Sequence, residues 1–377
     1  MIYLSSKKSN LNIPWTSGEP DYYLMTDIII LLLFGLVMVF SASSANARDE
    51  LGDSYYYLRN QGIMAAVGLV AMYIVSRIDY HFWGKYANLM FVGTIFVLLA
   101  VLVFGTESQG AKRWLGFGPA SFQPSEMAKI TMIIFMSFKL SLDRGKLKRS
   151  GKEVLTYVGI IGAVCLLILL EKHLSGTVIM FLICASLMII AGLPGKYIFY
   201  GGLGGVVLTI VAIIFEPYRM KRLYTFFDPF KYKMEEGWQI VQSLYAIGSG
   251  GLFGLGLGRS RQKYMYIPEP QNDFIFSIIC EELGLIGAVC VLILFAIFIY
   301  RGINVALRAP DSFGRYLAFG VTALVGFQVV INIAVVTSVM PVTGMQLPLF
   351  SAGGSSLVFL LVGMGILLNV SRQCKKF

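Results

Sequence analysis

One polar stretch, residues 216–283, interrupts a chain that is otherwise mostly apolar. It begins EPYRMKRLYTFFDPF (216–230), continues as WQIVQSLYAIGSGGLFGLGLGRSRQKYMYIPEPQ (238–271) and ends NDFIFSIICEEL (272–283). Its basic residues are Arg219, Lys221, Arg222, Lys231, Lys233, Arg259, Arg261 and Lys263. Asp273 stands at the start of the long apolar segment that follows. We interpret this stretch as a working surface, and the rest of the chain as the frame that holds it against lipid.

The composition is that of a membrane protein. Of the 377 residues, 56% are hydrophobic and 14% are charged, with a mean hydropathy of +0.72. Soluble domains carry about 25% charged residues and cannot bury this much apolar surface. The net charge of +10 would suggest nucleic acid in a soluble protein. Here it is explained by cytoplasmic loops that face anionic lipid, so we expect no nucleic-acid partner.

Cysteine and histidine usage argues against two common kinds of site. Four of the five cysteines lie in apolar segments and Cys374 lies in a basic tail, so no disulfide framework is expected. The two histidines, His81 and His173, are too few for a histidine-based metal centre and argue against a Ser-His-Asp triad.

Ten apolar runs are long enough to cross a bilayer as helices. They are Tyr23–Ser44, Gly62–Val75, Tyr86–Gly105, Pro124–Leu140, Val154–Leu170, Ser175–Leu193, Tyr197–Phe215, Asp273–Tyr300, Tyr316–Val339 and Ser351–Val370. The fold class predicted is therefore an all-α polytopic membrane protein with ten transmembrane helices. Ala45-Asn46-Ala47 after the first run leaves a signal peptide open, but the long polar region before that run favours an uncleaved span.

Loop charges give the orientation. One set of loops and the tail is strongly basic: Arg77, Lys85, Arg144, Lys146, Lys148, Arg149, Lys152, Lys196, Arg301, Arg308, Arg315, Arg372, Lys375 and Lys376. The opposite loops mix acids with bases. The positive-inside rule then places both termini in the cytoplasm, which requires an even number of spans. We predict a cytoplasmic segment (1–22), one membrane domain (23–370) and a cytoplasmic tail (371–377).

Residues 216–272 then form an extracellular loop between the seventh and eighth spans, although they are basic. A solvated face or attraction to anionic lipid would explain the charge, and so would a site for an anionic substrate. The run GSGGLFGLGLG (Gly248–Gly258) has glycine spacings of a dinucleotide fingerprint, but no strand or βαβ unit surrounds it. We predict instead a tight re-entrant or amphipathic turn.

Asp273 is the first candidate for chemistry. It follows Pro268 and Pro270 and opens the eighth span. Asp is a favourable helix cap, but Asn272 could cap equally well and leave Asp273 as a general base. The helix dipole is expected to keep the carboxylate ionised. The residues alone leave both interpretations open.

Four further stretches are candidates. Pro124 suits a first helical turn, and Glu126 and Lys129 then share a helix face, either as a mutual ion pair or as a functional pair. A structural role is favoured for the outer turn 171–177, EKHLSGT. Glu281 and Glu282 need buried partners, in a network with Lys or Arg or around a cation. The irregular stretch 332–356 is predicted to shape a groove.

Transfer of a sugar from a lipid pyrophosphate fits this set of residues. Pyrophosphate leaves readily once its charge is neutralised, so no general acid is required, and the acceptor hydroxyl needs one base. Asp273 with Arg113, Lys129 and Arg222 has that composition. A glycoside hydrolase would need a carboxylate pair, and a proton-coupled transporter would need ionisable groups deep in several spans.

Several long motifs resemble one family. They are KRWLGFGPASFQPSEMAKI (112–130), YRMKRLYTFFDP (218–229), WQIVQSLYAIGSGGLFGLGLGRSRQK (238–263), IPEPQNDFIFSIICEELG (267–284) and LPLFSAGGSS (347–356). Together they resemble the SEDS family, which includes FtsW, RodA and SpoVE, over nearly the whole chain. VMVFSAS (Val37–Ser43) and RAPDSFG (Arg308–Gly314) look more like FtsW or SpoVE than RodA. Ser121 replaces a basic residue, 172–177 departs from PDLGT, and Ala352 replaces the tyrosine of SYGGSS.

The resemblance implies a peptidoglycan glycosyltransferase that polymerises lipid II at the outer face of the bacterial cytoplasmic membrane, in division or sporulation. It implies a class B penicillin-binding protein and other divisome or sporulation proteins as partners. No cofactor is certain, although a divalent cation, Mg²⁺ or Mn²⁺, is compatible. The catalytic aspartate falls on Asp273, and the substrate-binding positions fall on Arg113, Glu126, Lys129, Arg222, Ser260 and Lys263. A flippase of the lipid-linked precursor is the alternative, and a purely structural division scaffold is weaker.

Overall fold

A computed structural model describes residues 18–108, 111–116, 121–143, 145–215, 217–232, 237–264 and 266–374. The helices are α1 (Tyr22–Leu51), α2 (Tyr56–Arg77), α3 (Tyr80–Phe104), α4 (Pro124–Leu142), α5 (Lys146–Arg149), α6 (Gly151–Leu170), α7 (Leu174–Ile190), α8 (Gly195–Ile214), α9 (Pro217–Phe227), α10 (Trp238–Ser249), α11 (Ile275–Arg308), α12 (Ser312–Val336) and α13 (Gly354–Gln373). Thr106–Ser108 (β1) and Ala111–Trp114 (β2) form an antiparallel hairpin. The predictions for residues 1–17, Arg144, Glu216, Lys233 and 375–377 lie outside the described residues, as does the Arg219 side chain.

Helices long and apolar enough to cross a bilayer dominate the described part of the chain. Seven meet both conditions: α1, α2, α3, α6, α11, α12 and α13. Leu174–Ile190 and Gly195–Val211 are shorter apolar helices, and α4 has 19 residues, of which Glu126, Lys129 and Lys139 are charged. The all-α polytopic membrane fold is therefore confirmed, whereas the count of ten spans stays a prediction.

The centre of the bundle is α12. It packs against α11, α4, α7 and α13, and α13 packs in turn along α2. The largest fully buried side chains include Tyr80, Phe295 and Phe350. Helices at the periphery expose large apolar side chains, such as Phe96 on α3 and Leu155 on α6, as expected for a surface that meets lipid.

The two ends of the described chain meet at one end of the bundle. Arg372 donates from Nη1 to the carbonyl of Gly18 (2.6 Å), and the amide of Asp21 donates to Ser371 Oγ (3.0 Å). At this end His81 also lies 2.7 Å from one carboxylate oxygen each of Asp79 and Asp311. This arrangement agrees with the prediction that both termini lie on the same side of the membrane.

A break in α11 explains the glycine-rich run. Gly284 has φ 65° and ψ −165°, so the helical hydrogen-bond ladder is interrupted there. The loop after α10 supplies the missing partners. Leu255 N and Gly256 N donate to the carbonyls of Glu281 and Glu282 (2.9 Å each), and the amides of Leu285 and Ile286 donate to the carbonyls of Gly251 and Leu252 (2.9 and 3.2 Å). Irregular backbone within a bilayer requires such pairing.

The loop therefore reaches below the outer end of α11. Glu281 lies six residues into the helix, about 9 Å along its axis at 1.5 Å per residue. Gly250 and Gly254 allow the close approach, since a Cβ on either would meet a carbonyl oxygen of Cys280 or Glu282 at 1.9 or 2.2 Å. These contacts agree with the predicted re-entrant turn.

Replacement of Gly254 by alanine is expected to lower the free energy of unfolding by more than about 2 kcal/mol. The residue has φ +80°, and the new Cβ would meet backbone rather than a movable side chain. Gly248→Ala is the matched control, because Gly248 lies in α10 and nothing lies within 4 Å of the added Cβ. Thermal unfolding in mild detergent measures both. Equal midpoints for the two variants would contradict the close approach.

Two details differ from the sequence-based expectation. α1 continues through Ala45-Asn46-Ala47 to Leu51, and Ala47 is fully buried. The Ala-x-Ala stretch is thus helix interior, in agreement with an uncleaved span. The β1–β2 hairpin was not predicted, because strands of three and four residues carry too little periodicity to be recognised.

Candidate active site at one end of the bundle

The irregular segment between α12 and α13 brings the site together. Residues 342–345 each contact a different element. The Val342 carbonyl accepts from Arg222 Nη1 on α9 (2.9 Å), and the Thr343 carbonyl accepts from Ser175 Oγ on α7. A Cβ on Gly344 would lie 3.2 Å from Asp273 Oδ2, and the Met345 carbonyl accepts from Asn332 Nδ2 on α12 (2.6 Å). The segment predicted to shape a groove therefore joins elements that are distant in sequence.

Asp273 does not cap α11. The N-cap residue is Phe274, with no side-chain hydrogen bond to the helix backbone, and Asn272 donates its amide to Glu269 instead (2.7 Å). The cap interpretation is therefore wrong for both residues. The main chain of Asp273 is fixed by Asn332 Nδ2, which donates to its carbonyl (2.8 Å). The carboxylate is half-buried and is not used as a helix cap.

The charge of Asp273 is tuned by its surroundings. Burial raises the pKa of this carboxyl to about 6, the charge of Glu269 adds to the effect, and Arg222 opposes it. Burial therefore outweighs the stabilisation that we expected from the helix dipole. A carboxylate whose pKa lies just below neutrality is ionised at pH 7 and is a stronger base than an exposed aspartate.

Arg222 lies across the same segment from Asp273. Val342, which accepts its hydrogen bond, is two residues from Gly344, which touches the Asp273 carboxylate. The structure therefore brings together the two ends of the 216–283 stretch. A cation beside an ionised base can hold a negatively charged substrate group close to it.

Glu126 and Lys129 line a cleft next to this segment. Pro124 is the first residue of α4, as predicted. Lys129 Nζ lies 2.7 Å from Glu126 Oε1, and the lysine side chain is 4% exposed. The cleft is small, and it is also lined by Gln346, Pro348 and Ser356. The ion pair that we considered is thus present, and it lines this cleft.

Arg113 joins the site through the turn between α6 and α7. It extends from β2 and donates from Nε to the Glu171 carbonyl (3.3 Å) and from Nη2 to the Lys172 carbonyl (2.7 Å). His173 in this turn lies 3.1 Å from Gln123 Nε2 and 3.2 Å from Ser125 Oγ. Burial, together with the charges of Arg113 and Lys129, lowers the pKa of His173 to about 3. The histidine is therefore neutral.

Ser260 and Lys263 belong to a buried network. Ser260 donates to Glu281 Oε2 (2.5 Å). Lys263 Nζ donates to Glu282 Oε1 (3.1 Å) and to the carbonyls of Ser41 (3.1 Å) and Gly258 (2.7 Å). Ser260 is fully buried and Lys263 is 2% exposed. These contacts pin the 258–263 stretch onto α11 and α1, as expected for a glutamate–lysine network. The predicted contact of Ser260 and Lys263 with substrate stays a prediction.

The turn at 171–173 gave only a weak signal in the sequence. A lone histidine beside a lysine favours a structural role. The structure places the turn against Arg113, and Ser175 just beyond it against Thr343. An acid at the outer end of an apolar span was the signal that pointed here. For metal binding, no group of three or more His, Cys, Asp or Glu side chains in the described part of the chain is arranged to hold an ion.

Comparison with known proteins gives the family. The sequence profile of the FtsW/RodA/SpoVE family, described as cell cycle proteins, matches residues 22–376. The chain is 40% identical to stage V sporulation protein E of Bacillus subtilis, over 95% of this chain and 98% of that protein. It is also 40% identical to the probable peptidoglycan glycosyltransferase FtsW of Geobacter sp. (strain M18), over 94% and 97% of the two chains.

Two solved structures share the fold. A chain from the structure titled "Structural coordination of polymerization and crosslinking by a peptidoglycan synthase complex" superposes with a TM-score of 0.79 and 28% identity, over 94% of this chain and 98% of that chain. The crystal structure of the Thermus thermophilus rod shape determining protein RodA gives 0.72 and 26%, over 95% and 98%.

The names of these relatives agree with the features derived above. They confirm the predicted enzyme class, a peptidoglycan glycosyltransferase. The 40% identities to SpoVE and FtsW, against 26% to RodA, match the subtype that the motifs indicated. The chain belongs to the FtsW/RodA/SpoVE family of cell cycle proteins.

Proposed function

We propose that this protein polymerises lipid II into glycan strands at the outer face of the bacterial cytoplasmic membrane. The observation that supports it most is the placement of Asp273 against residues 342–344, with Arg222 on the same segment. Glu126 and Lys129 line a small cleft with residues 346–349, which directly follow the segment that contacts Arg222 and lies beside Asp273. A substrate with a polyprenyl tail in the bilayer and a pyrophosphate at its surface suits that position.

The reaction is a substitution at the anomeric carbon of one lipid-linked sugar. Asp273 takes the proton of the acceptor hydroxyl, whose oxygen forms the new bond to C1. The bond from C1 to the pyrophosphate oxygen breaks, and undecaprenyl pyrophosphate leaves with the electron pair. The transition state has oxocarbenium character. Cations beside the departing oxygens stabilise the negative charge that develops there.

Arg222, Arg113 and Lys129 are proposed to supply those cations. Arginine suits this role because its planar fork matches phosphate oxygens in a bidentate contact. Glu126 orients Lys129 through their 2.7 Å contact. Ser260 and Lys263 are proposed to act indirectly, because they hold the 258–263 stretch on α11.

Any divalent cation, Mg²⁺ or Mn²⁺, is proposed to arrive with the pyrophosphate. Such ions bind substrate phosphates and keep several waters, so a dedicated protein cage is unnecessary. A class B penicillin-binding protein is proposed as the partner, in division or sporulation. It suits the chain's likeness to a subunit of a peptidoglycan synthase complex.

Purified protein in proteoliposomes with fluorescent lipid II tests the function, with and without a class B penicillin-binding protein. We expect a glycan polymer that migrates more slowly than lipid II on gels and is digested by a muramidase. Movement of labelled lipid II between leaflets without polymer would overturn the proposal in favour of a flippase.

A further inference from the structure

The turn between α6 and α7 carries a carboxyl group that has no role in the reaction described above. Glu171 is 1% exposed, and neither of its carboxylate oxygens has a hydrogen-bond partner in the part of the chain that the structure describes. An ionised carboxylate in such a place is unfavourable. Burial accordingly raises the pKa of Glu171 to about 8, and the charge of Arg113 acts in the opposite direction. The side chain is therefore mostly neutral at pH 7.

Arg113 is the cation that approaches this carboxyl group. Its guanidinium donates to the main-chain carbonyls of both Glu171 and Lys172, at 3.3 and 2.7 Å. Lys172 has φ 59°, a left-handed conformation that is uncommon for residues other than glycine. The turn thus presents two successive carbonyls to one guanidinium, while the acid beside it makes no hydrogen bond.

Other charged groups around Glu171 do not replace Arg113. In its own turn, His173 is neutral because burial lowers its pKa, and the Lys172 side chain is exposed. From α4, Lys129 is engaged with Glu126 at 2.7 Å. The segment 340–348, which Ser175 contacts through Thr343, carries no titratable side chain. The interaction that depends on the charge of Glu171 is therefore chiefly with Arg113.

We propose that Glu171 is a positioning residue that controls how Arg113 is shared with a pyrophosphate ligand. While Glu171 is neutral, the Arg113 guanidinium donates to main-chain carbonyls. The carboxyl group then does not compete with phosphate oxygens for its positive charge. When Glu171 is ionised, it forms a direct carboxylate–guanidinium pair. Carboxylate and phosphate bind the same donors of arginine, so the two compete. This inference rests on the proposed function only in taking a lipid pyrophosphate as the ligand.

Binding of geranylgeranyl pyrophosphate to the full-length protein in detergent tests this proposal. In the wild type, Kd should rise about tenfold from pH 7 to pH 9, because a group with a pKa of about 8 goes from about a tenth to about nine-tenths ionised. Glu171→Gln keeps the shape and removes the charge, so its Kd should stay near the wild-type value at pH 7. Lys172→Gln, in the same turn, should show the same rise of Kd between pH 7 and pH 9 as the wild type.

Stability provides a second readout. Folding raises the pKa of Glu171 from 4.5 to about 8, so the native state holds a proton that the unfolded state releases between these values. The wild type therefore loses stability as pH rises from about 4.5 toward 8. The thermal midpoint of Glu171→Gln should fall less over this range. A purely structural glutamate would change the midpoint without changing the pH dependence of Kd.

The outcomes separate this proposal from the proposed function. If Kd rises tenfold between pH 7 and pH 9 in both the wild type and Glu171→Gln, Glu171 does not control Arg113 and the proposal is wrong. A wild-type Kd that is constant between pH 7 and pH 9 would also overturn it, even if the protein polymerises lipid II. The protein could also bind the pyrophosphate with a strong pH dependence that Glu171→Gln abolishes, and yet make no glycan polymer. That result would support the positioning role of Glu171 and reject the proposed polymerase function.

Discussion

Substitution of Asp273 by asparagine is expected to abolish glycan polymerisation, with a loss of at least about a thousandfold in kcat, at the upper part of the range for a general base. Asparagine has nearly the same shape but cannot accept the proton of the acceptor hydroxyl. The main-chain bond from Asn332 to the Asp273 carbonyl (2.8 Å) does not involve the side chain, so the fold should remain. Lipid II polymerisation measured at saturating substrate gives the loss.

The rate of the wild-type enzyme should fall at acidic pH as Asp273 becomes protonated. Because the pKa of Asp273 is raised to about 6, the ionised base is lost as pH falls through 6. The rate should therefore drop about tenfold from pH 7 to pH 5. An acidic limb centred near 4 would contradict the effect of burial on this carboxyl.

Asp53→Asn is the matched control for Asp273→Asn. Asp53 is also an acid between two helices at the outer end of the bundle, and it pairs with Arg59 at 3.4 Å at the surface. Its removal should change neither rate nor fold appreciably. Full polymerase activity in Asp273→Asn, at an unchanged thermal midpoint, would reject Asp273 as the base.

Substitution of Lys263 by methionine should give the largest loss of stability. Lys263 is 2% exposed and pairs with the fully buried Glu282 at 3.1 Å. Removal of one partner from a buried ion pair leaves an uncompensated charge and costs about 3–5 kcal/mol. Denaturant unfolding in mild detergent measures the difference in the free energy of unfolding.

The neighbouring Arg261→Met is the control for Lys263→Met, because Arg261 is exposed and donates to Glu281 through its main-chain amide (2.9 Å). It should change stability by no more than about 0.5 kcal/mol. Combining Lys263→Met with Glu282→Gln should recover part of the loss, since the unpaired charge is gone. A Lys263→Met variant as stable as Arg261→Met would show that the pair does not hold the 258–263 stretch.

The sequence was sufficient to predict the membrane bundle because hydropathy reports directly on length and environment. It was less informative at helix ends. α1 continues seven residues beyond the predicted Ser44, because a helix can extend past the apolar part that hydropathy detects. The break at Gly284 was also hidden, since ICEELGLIG reads as continuous helix and its cause is a loop about thirty residues upstream.

The candidate site was predictable in its residue types but not in its assembly. Asp273 and Arg222 stand out as charges next to apolar spans. Their meeting depends on residues 342–344, which contribute main-chain atoms and carry no charge. The unpaired state of Glu171 depends on burial in three dimensions, which a single acid in a turn does not reveal. The contacts of Ser260 and Lys263 were hidden for the same reason, because their partners Glu281 and Glu282 lie on another element.

The break at Gly284 has a mechanical consequence. It divides α11 into a short outer piece that follows Asp273 and a long inner piece that runs to Arg308. The loop after α10 is bonded to both pieces, to the carbonyls of Glu281 and Glu282 before the break and to the amides of Leu285 and Ile286 after it. The loop therefore bridges the break and holds the short piece that follows Asp273 at a fixed angle to the long piece.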